Sequence, residues 1–405
     1  AMSELKGELL QGDMGVELGA LVYDSRKISP GCLFVCMKGA NFDSHELLPE
    51  LPGKGVAAVV IDREVETLPE GLTVYRADNA RAALAALSAA YFGFPARELL
   101  TVGVTGTKGK TTTTHMIRAL LEAGGIPTGL IGTNGITIGK EHIATKNTTP
   151  ESYEIQESFR KMADAGCKAV VMEVSSQGLM LHRTGSILFD YGVFMNIAPD
   201  HIGPNEHKNF EEYLFWKSQL FLQCKTGLIN ADDVHSLYIE KMATCEKLYR
   251  FGEKNPADFT LRSLSHTADP DFVGMRFDFA GAGREVADVK VGMPGRFNAE
   301  NALAALSVAA LAGVKDQVLR TGLKNIRVNG RMEIVKLHPY TVLVDYAHNA
   351  VSMEALLDAL REYHPKRLVV VFGWRQPRQG APDFNGRDRR QKGGSLDYHG
   401  GQLPL

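Results

Sequence analysis

The chain has 405 residues, 44% of them hydrophobic and 23% charged, with a formal net charge of -2. That is length for roughly two or three domains of about 100–200 residues. The charge balance excludes a global field drawing the chain to nucleic acid or to a membrane surface.

No apolar run approaches the roughly 20 residues of a membrane span. The opening "AMSELKGELLQGD" lacks the basic and apolar regions of a signal peptide, so a cytoplasmic protein is expected. The five cysteines, Cys32, Cys36, Cys167, Cys224 and Cys245, read as buried free thiols of a reducing compartment. Cys32 and Cys36 lack the second pair that a zinc site needs.

In chain order, residues 1–98 form a first domain. "GCLFVCMKG" and "VAAVVID" are short buried strands, and "DNARAALAALSAAYFG" is a helix with Asp78 or Asn79 as its N-cap. "FGFPARELL" reads as a linker. Residues 99–328 alternate strands ("LLTVGVTG", "CKAVVMEVSS", "DYGVFMNIA", "TGLINAD") with helices ("KTTTTHMIRALLEAGG", "NFEEYLFWKSQLFLQ"). Strands alternating with helices predict a mostly parallel sheet covered on both faces, with ligands at the carboxyl ends of its strands. Residues 329–373 offer one βαβ unit, "YTVLVDYA", "SMEALLDALREYH" and "KRLVVVFG". Residues 374–405 are poor in apolar residues, carry no strand or helix period, and read as disordered.

Between the strand "LLTVGVTG" and the helix that follows lies "GTKGKT". The commonest phosphate loop reads G-x-x-x-x-G-K-[ST], which would require glycine at position 104, where this chain has Val104. The spacing here is the shorter G-x-x-G-K-T. Placement at a strand-to-helix junction favours an anion, because helix amides and dipole point there. Gly106 and Gly109 permit close approach to phosphate. Lys110 supplies a cation for the β/γ-phosphates and Thr111 a magnesium ligand. A mere glycine turn with a solvated lysine explains neither the placement nor the Gly-Lys-Thr triplet.

"GVTGTKGKTTTT" resembles the nucleotide loop of the Mur ligases, the ligases that build the peptide of bacterial cell-wall precursors, and whose loop has this shorter spacing. "VYDSRKISPGCLFVCMKG", "KNTTPES", "MEVSSQGLMLHR", "NIAPDHIG", "FWKSQLF", "INADD", "GRFNAENALAAL", "GRME" and "VDYAHNAVSMEALL" resemble further blocks of the family, in family order, over about residues 20–373. The resemblance implies an α/β fold in three domains. A central P-loop-type, mostly parallel sheet stands between a smaller N-terminal α/β domain that binds the UDP-precursor and an incomplete, Rossmann-like C-terminal domain that grips an amino acid.

It also implies roles. Gly106, Thr107, Lys108, Gly109, Lys110, Thr111 and Thr112 would cradle ATP. Asn298 and Asn301 would meet the adenine, although Asn298 could equally be the N-cap of its helix. Arg331 and Asp345 would approach the nucleotide from the third domain, Asp345 alternatively being a turn residue. Thr111, Glu173 at the end of an apolar strand, His201 and Lys217 would serve Mg²⁺, Lys217 as a carbamylated side chain; a solvated lysine is the plain alternative. Lys110, Lys217, Glu173 and His201 form the expected catalytic set. Tyr23, Ser25, Asn147, Thr148, Thr149, Ser175 and Arg183 would hold UDP-N-acetylmuramoyl-L-alanyl-D-glutamate, hydroxyls, amides and a guanidinium suiting pyrophosphate and carboxylate. Leu181 stands where some members carry glutamine.

The implied reaction is ATP-driven amide formation through an acyl phosphate, with a free diamino acid as acceptor, in a monomer needing neither nucleic acid nor membrane. The alternatives are a ligase resembling folylpolyglutamate synthases and a nucleotide-binding remnant without turnover. After Gly373 the family continues with Cys-Gly-Gly-Asn-Arg, whereas this chain reads "WRQPRQG". Codons exist for Trp374 to Pro377 that give Gly-Gly-Asn-Arg when read one base later. The same offset turns Gly401 to Pro404 into Asp-Asn-Ser-Arg, near the Asp-Asn-Pro-Arg motif of members that use meso-diaminopimelate rather than L-lysine. A reading-frame shift after Gly373, a third domain cut short, and impaired ligation are therefore expected, with diaminopimelate favoured as the amino acid.

Overall fold

The computed structural model describes residues 5–371 apart from 40, 41, 201, 204, 205, 270 and 349, together with Ser395–Tyr398. The first sheet comprises β1 (Gly7–Gln11), β2 (Ala20–Val22), β3 (Cys32–Val35), β4 (Ala58–Ile61) and β5 (Thr73–Ala77), in the order β1-β5-β4-β3-β2. Only β1 is antiparallel to its neighbour. Side chains alternate across it as the period of two requires. Leu33, Val35 and Val60 face the helix α1 (Ala80–Tyr91), whereas Phe34, Val59 and Ile61 pack with Leu48 and Leu51 on the other side. Asn79, rather than Asp78, caps α1, its side chain accepting from the Ala82 amide at 2.9 Å. Cys32 and Cys36 are buried and free.

After a single turn at Pro95–Arg97 the central sheet begins. Its strands are β6 (Leu100–Thr105), β7 (Thr128–Gly132), β8 (Gly135–Ile138), β9 (Glu141–Ile143), β10 (Ala169–Glu173), β11 (Phe189–Phe194), β12 (Cys224–Asn230) and β13 (Lys247–Phe251). The order is β13-β12-β11-β6-β10-β7-β8-β9, parallel from β13 to β7, with β8 and β9 a meander on the edge. Both faces are covered, so its strands read as near-continuous apolar runs. On one face Val102, Val104 and Val171 join a core containing Met116, Ile117 and Leu120 of α2 (Lys110–Ala123). On the other, Val170, Met172 and Phe194 pack against Phe159 of α3 (Ser152–Asp164), Leu179 of α4 (Ser176–Met180) and Tyr213 of α5 (Phe210–Ser218). The short α6 (Ser236–Met242) bridges β12 and β13.

A three-stranded antiparallel sheet, β14 (Thr260–Asp269), β15 (Phe272–Gly281) and β16 (Arg284–Val291), then leads into α7 (Arg296–Leu311) and α8 (Asp316–Thr321). Phe277, Val289 and Val291 share one core with α2 and α7, so this sheet backs the helix pair that frames the glycine loop.

The C-terminal elements are β17 (Glu333–Lys336), β18 (Val342–Val344), α9 (Ala350–Arg361) and β19 (Leu368–Val371). Their β-α-β order is as expected, but β18 and β19 do not share a sheet. β18 is antiparallel to β17, and β19 is antiparallel to Ser395–Tyr398. Those four residues of the tail form a strand where no strand period is legible in the sequence; the rest of 374–405 lies outside the described residues. Ala359 is buried in the central core, and Tyr363 Oη donates to Gly274 O at 2.9 Å, tying α9 to β15. Among the described residues no helix is long and apolar enough to cross a membrane.

Candidate active site

The site lies at the carboxyl ends of the parallel strands. β6 ends at Thr105, the loop turns through Gly106 to Gly109, and α2 starts at Lys110. Gly109 caps α2 in the left-handed region (φ 84°), without a side-chain cap. A Cβ there would collide with Asn301 Oδ1. Only glycine suits both the dihedral and the space. The first-turn amides of α2 have no intrahelical acceptor, and the positive end of the helix dipole faces the same way.

Asn196, two residues past the end of β11, fixes the loop. Its Oδ1 accepts from Lys108 N and its backbone O from Thr107 N, each at 2.9 Å. Thr107 Oγ1 lies 3.0 Å from Tyr213 Oη. Lys108 is exposed and reaches Asp200 at 3.8 Å.

Two lysines converge on one carbonyl. Lys110 Nζ donates to Gly106 O at 2.7 Å and Thr107 O at 3.3 Å, and Lys217 Nζ donates to Gly106 O at 2.9 Å. Lys217, on α5, is only 1% exposed and lies 4.5 Å from the centroid of the Tyr213 ring. The solvated-lysine alternative is thereby overturned. Burial, then the neighbouring Lys110 charge, pushes the Lys217 ammonium well below its ordinary value. Burial also lowers Lys110, partly offset by the Glu173 carboxylate. Burial pushes the Tyr213 hydroxyl up to about 12.

Glu173 closes β10 and is 1% exposed. Its Oε2 accepts from Thr111 Oγ1 at 3.0 Å and Thr133 Oγ1 at 3.2 Å, its Oε1 from Thr133 N at 2.8 Å. Thus the Glu173 carboxylate and the Thr111 hydroxyl meet across the loop, with Glu173 near enough to favour the charge on Lys110. Thr133 and Asn196 are structural members of the site that sequence reasoning did not single out. Thr133 follows the β7 strand end, and Asn196 stands inside the quoted block "NIAPDHIG"; a strand-end polar residue was the available signal. Thr112 is buried in the first turn of α2. His201 lies outside the described residues. Among them no group of three or more His, Cys, Asp or Glu stands together. The donor set therefore combines a hydroxyl with one carboxylate, which suits a hard cation completed by phosphate and water oxygens.

Asn298 and Asn301 are buried in α7. Gly295 caps this helix, so Asn298 lies within the first turn and is not its N-cap. The Asn298 amide donates to Pro294 O at 2.7 Å, Asn301 Nδ2 donates to Asn298 Oδ1 at 3.1 Å, and Thr113 Oγ1 donates to Asn301 Oδ1 at 3.3 Å. The last of these ties α7 to α2 beside Gly109. Arg331 stacks on Tyr346 at 5.0 Å and is near enough to disfavour charge on Lys110. Asp345 accepts from Met332 N at 2.7 Å and Ala347 N at 2.8 Å, the turn-residue geometry.

The expected precursor contacts gather around the junction of the first two sheets. Thr149 Oγ1 donates to Glu173 O and accepts from Ser175 N, both at 3.0 Å. Arg183 donates to Thr149 O at 3.1 Å, Thr148 meets Thr133 at 3.0 Å, and Ser175 caps α4. Asn147 is exposed, and Ser25 opens a single turn capped by Asp24. Tyr23 donates to Glu154 across the junction, and burial with that carboxylate pushes its hydroxyl up. A second tie, Arg81 to Glu151 at 3.0 Å, runs in parallel.

Three family profiles match the chain: "Mur ligase family, catalytic domain" over residues 17–92, "Mur ligase middle domain" over 104–309, and "Mur ligase, glutamate ligase domain" over 330–391. A relative from Clostridium acetobutylicum, UDP-N-acetylmuramoyl-L-alanyl-D-glutamate--2,6-diaminopimelate ligase 2, is 37% identical over 372 residues, 90% of this chain and 75% of that protein. The solved structure of a UDP-N-acetylmuramoyl-L-alanyl-D-glutamate--2,6-diaminopimelate ligase superposes with a TM-score of 0.74 at 24% identity, covering 85% of this chain and 70% of that one. A MurF ligase from Thermotoga maritima in complex with ADP gives 0.57 at 19% identity, covering 86% and 76%, and shares the fold. The chain belongs to the Mur ligase family.

Proposed function

We propose that this chain is an ATP-dependent ligase that joins 2,6-diaminopimelate to UDP-N-acetylmuramoyl-L-alanyl-D-glutamate, activating the glutamate γ-carboxylate as an acyl phosphate. The observation that carries it is the buried Glu173 carboxylate held 3.0 Å from the Thr111 hydroxyl across a G-x-x-G-K-T loop that also presents Lys110. The relative's name supports the substrates, and the ADP complex of the fold neighbour supports the nucleotide.

In this reading the α2 amides and the Lys110 ammonium bind the β/γ-phosphates. Lys110 leaves the Gly106 and Thr107 carbonyls to do so. Thr111 and Glu173 would hold Mg²⁺, which supplies charge neutralisation at the transferring phosphoryl group when bound. His201 joins them as the proposed further ligand. Lys217 is the proposed carbamylation site: burial disfavours its charged form, and only the neutral amine attacks carbon dioxide. Asn298 and Asn301 line the adenine end, with Arg331 and Asp345 closing from the third domain. Tyr23, Ser25, Asn147, Thr148, Thr149, Ser175 and Arg183 receive the UDP-precursor at the junction of the first two sheets.

The test is phosphate release from ATP with UDP-N-acetylmuramoyl-L-alanyl-D-glutamate plus either meso-diaminopimelate or L-lysine. Release dependent on the precursor and on diaminopimelate is expected. Release driven instead by a folate acceptor, or nucleotide binding without any turnover, would replace the reading.

A further inference from the structure

Strands β12 and β13 pair in parallel with Thr226 opposite Lys247. Continued back by two residues, that register sets Cys224 opposite Cys245. Neighbouring strands lie about 4.8 Å apart, inside the Cα separation of about 4.4–6.8 Å that a disulfide spans. Cys224 is buried, Cys245 is partly exposed, and both pack in the same apolar cluster. Burial, with the Cys245 thiol close by, pushes the Cys224 thiol well above its ordinary range. Both flanks are anchored. Thr244 N donates to Phe221 O at 3.2 Å, and Gly192 leaves the room that Cys224 Sγ occupies, since a Cβ there would lie 2.8 Å from the sulfur.

We propose that Cys224 and Cys245 form a thiol–disulfide exchange site that takes low-molecular-weight disulfides and closes a reversible cross-link between β12 and the edge strand β13. The more exposed Cys245 reacts first. Its thiolate attacks one sulfur of the reagent, forming a mixed disulfide and expelling one thiolate, which takes a proton from solvent. Cys224 then gives up its proton and attacks the Cys245 sulfur, expelling the second thiolate. Two cysteines are oxidised and one small disulfide is reduced to two thiols. The cross-link sits at the amino ends of the strands, away from the glycine loop at their carboxyl ends. It therefore stiffens the sheet edge and leaves nucleotide binding alone.

The experiment uses the full chain and oxidised glutathione. Peptide mapping should find Cys224 linked to Cys245 with no glutathione retained. The melting temperature should rise by roughly 5 °C and return on reduction, with ADP affinity unchanged. The Cys224→Ser variant should keep glutathione on Cys245, and Cys245→Ser should form no link. Glutathione retained on the parent chain, or both thiols still alkylatable after native treatment, would overturn the proposal. Should Cys224→Ser not fold, Cys245→Ser alone decides it: a thermal shift on oxidation that persists in that variant overturns the assignment.

Discussion

Lys110 and Lys217 share the Gly106 carbonyl, yet their roles separate. Lys110 is the cation a phosphate chain would draw out of the loop, so Lys110→Ala should cut ATP-dependent ligation by at least about 100-fold. A steady-state rate within an order of magnitude of the parent would remove the loop from the mechanism. Lys217 is a buried amine whose charged form is disfavoured. If it works as a carbamate, Lys217→Ala should lose activity, recover part of it with added short carboxylates, and the parent should respond to bicarbonate; parent-like rates in the alanine variant would end that role. The same burial makes a stability prediction. In bicarbonate-free buffer the folded chain releases the Lys217 proton at a lower pH than the unfolded chain does. Stability should therefore rise with pH through the folded value towards the ordinary lysine range, while below that window the cost of the buried cation is fully present. The melting-temperature advantage of Lys217→Met over the parent should accordingly shrink as pH is raised, and an advantage constant with pH would mean that Lys217 keeps its proton in the fold across that range, as it does in the unfolded chain.

At the scale of elements, the loop works because α7 is pressed against α2. Gly109→Ala meets two obstacles: the left-handed dihedral, costing about 1–2 kcal/mol, and the Asn301 side chain. ADP binding by calorimetry should weaken sharply in Gly109→Ala and be partly restored in Gly109→Ala/Asn301→Ala; simple additivity of the two changes would dissociate the helix contact from the loop. Phe277 of β15 lies in the core that backs these helices, so Phe277→Ala should cost about 3–5 kcal/mol by thermal or denaturant unfolding. The elements that end at the candidate site are legible in the sequence: β6, β10, β11 and β12 are long apolar runs ended by glycine or polar residues, and α2 follows its glycine motif directly. The antiparallel sheet β14–β16 was not legible. Its exposed face and left-handed residues such as Ser263 and Asp288 interrupt a simple alternation. The N-cap alternative for Asn298 fails because residue type makes Asn a cap candidate while the helix starts earlier, after Gly295. The burial of Lys217 could not be read from α5, since lysine on a helix is ordinarily solvated, and only the tertiary approach of Gly106 reveals it.

For the whole molecule, the first two domains are tied by the part-buried contacts Tyr23–Glu154 and Arg81–Glu151, which hold the proposed UDP-precursor subsite against the proposed nucleotide subsite. The C-terminal elements differ. A β-α-β unit ordinarily places its two strands in one parallel sheet, covered by the connecting helix. Here β18 and β19 belong to separate two-stranded sheets, and Val344 and Val371 stay exposed. Among the described residues these strands lack the neighbours that make a sheet independently stable. The glutamate-ligase-domain profile nevertheless runs to residue 391, past Gly373 where the family wording breaks off. We therefore expect the 405-residue chain to bind UDP-N-acetylmuramoyl-L-alanyl-D-glutamate and ADP with ordinary affinity but to turn over slowly, because among the described residues the two strands flanking α9 do not share a sheet. Calorimetry for the two ligands and chromatographic detection of the tripeptide read the two halves separately. Sequencing the gene across the Gly373 codon tests the proposed frame shift. An intact frame together with robust tripeptide synthesis would show that the third domain completes itself by a route other than one parallel sheet. Failure to bind the precursor would instead place the defect in the first two domains, where the part-buried ties of Tyr23 and Arg81 to α3 argue against it.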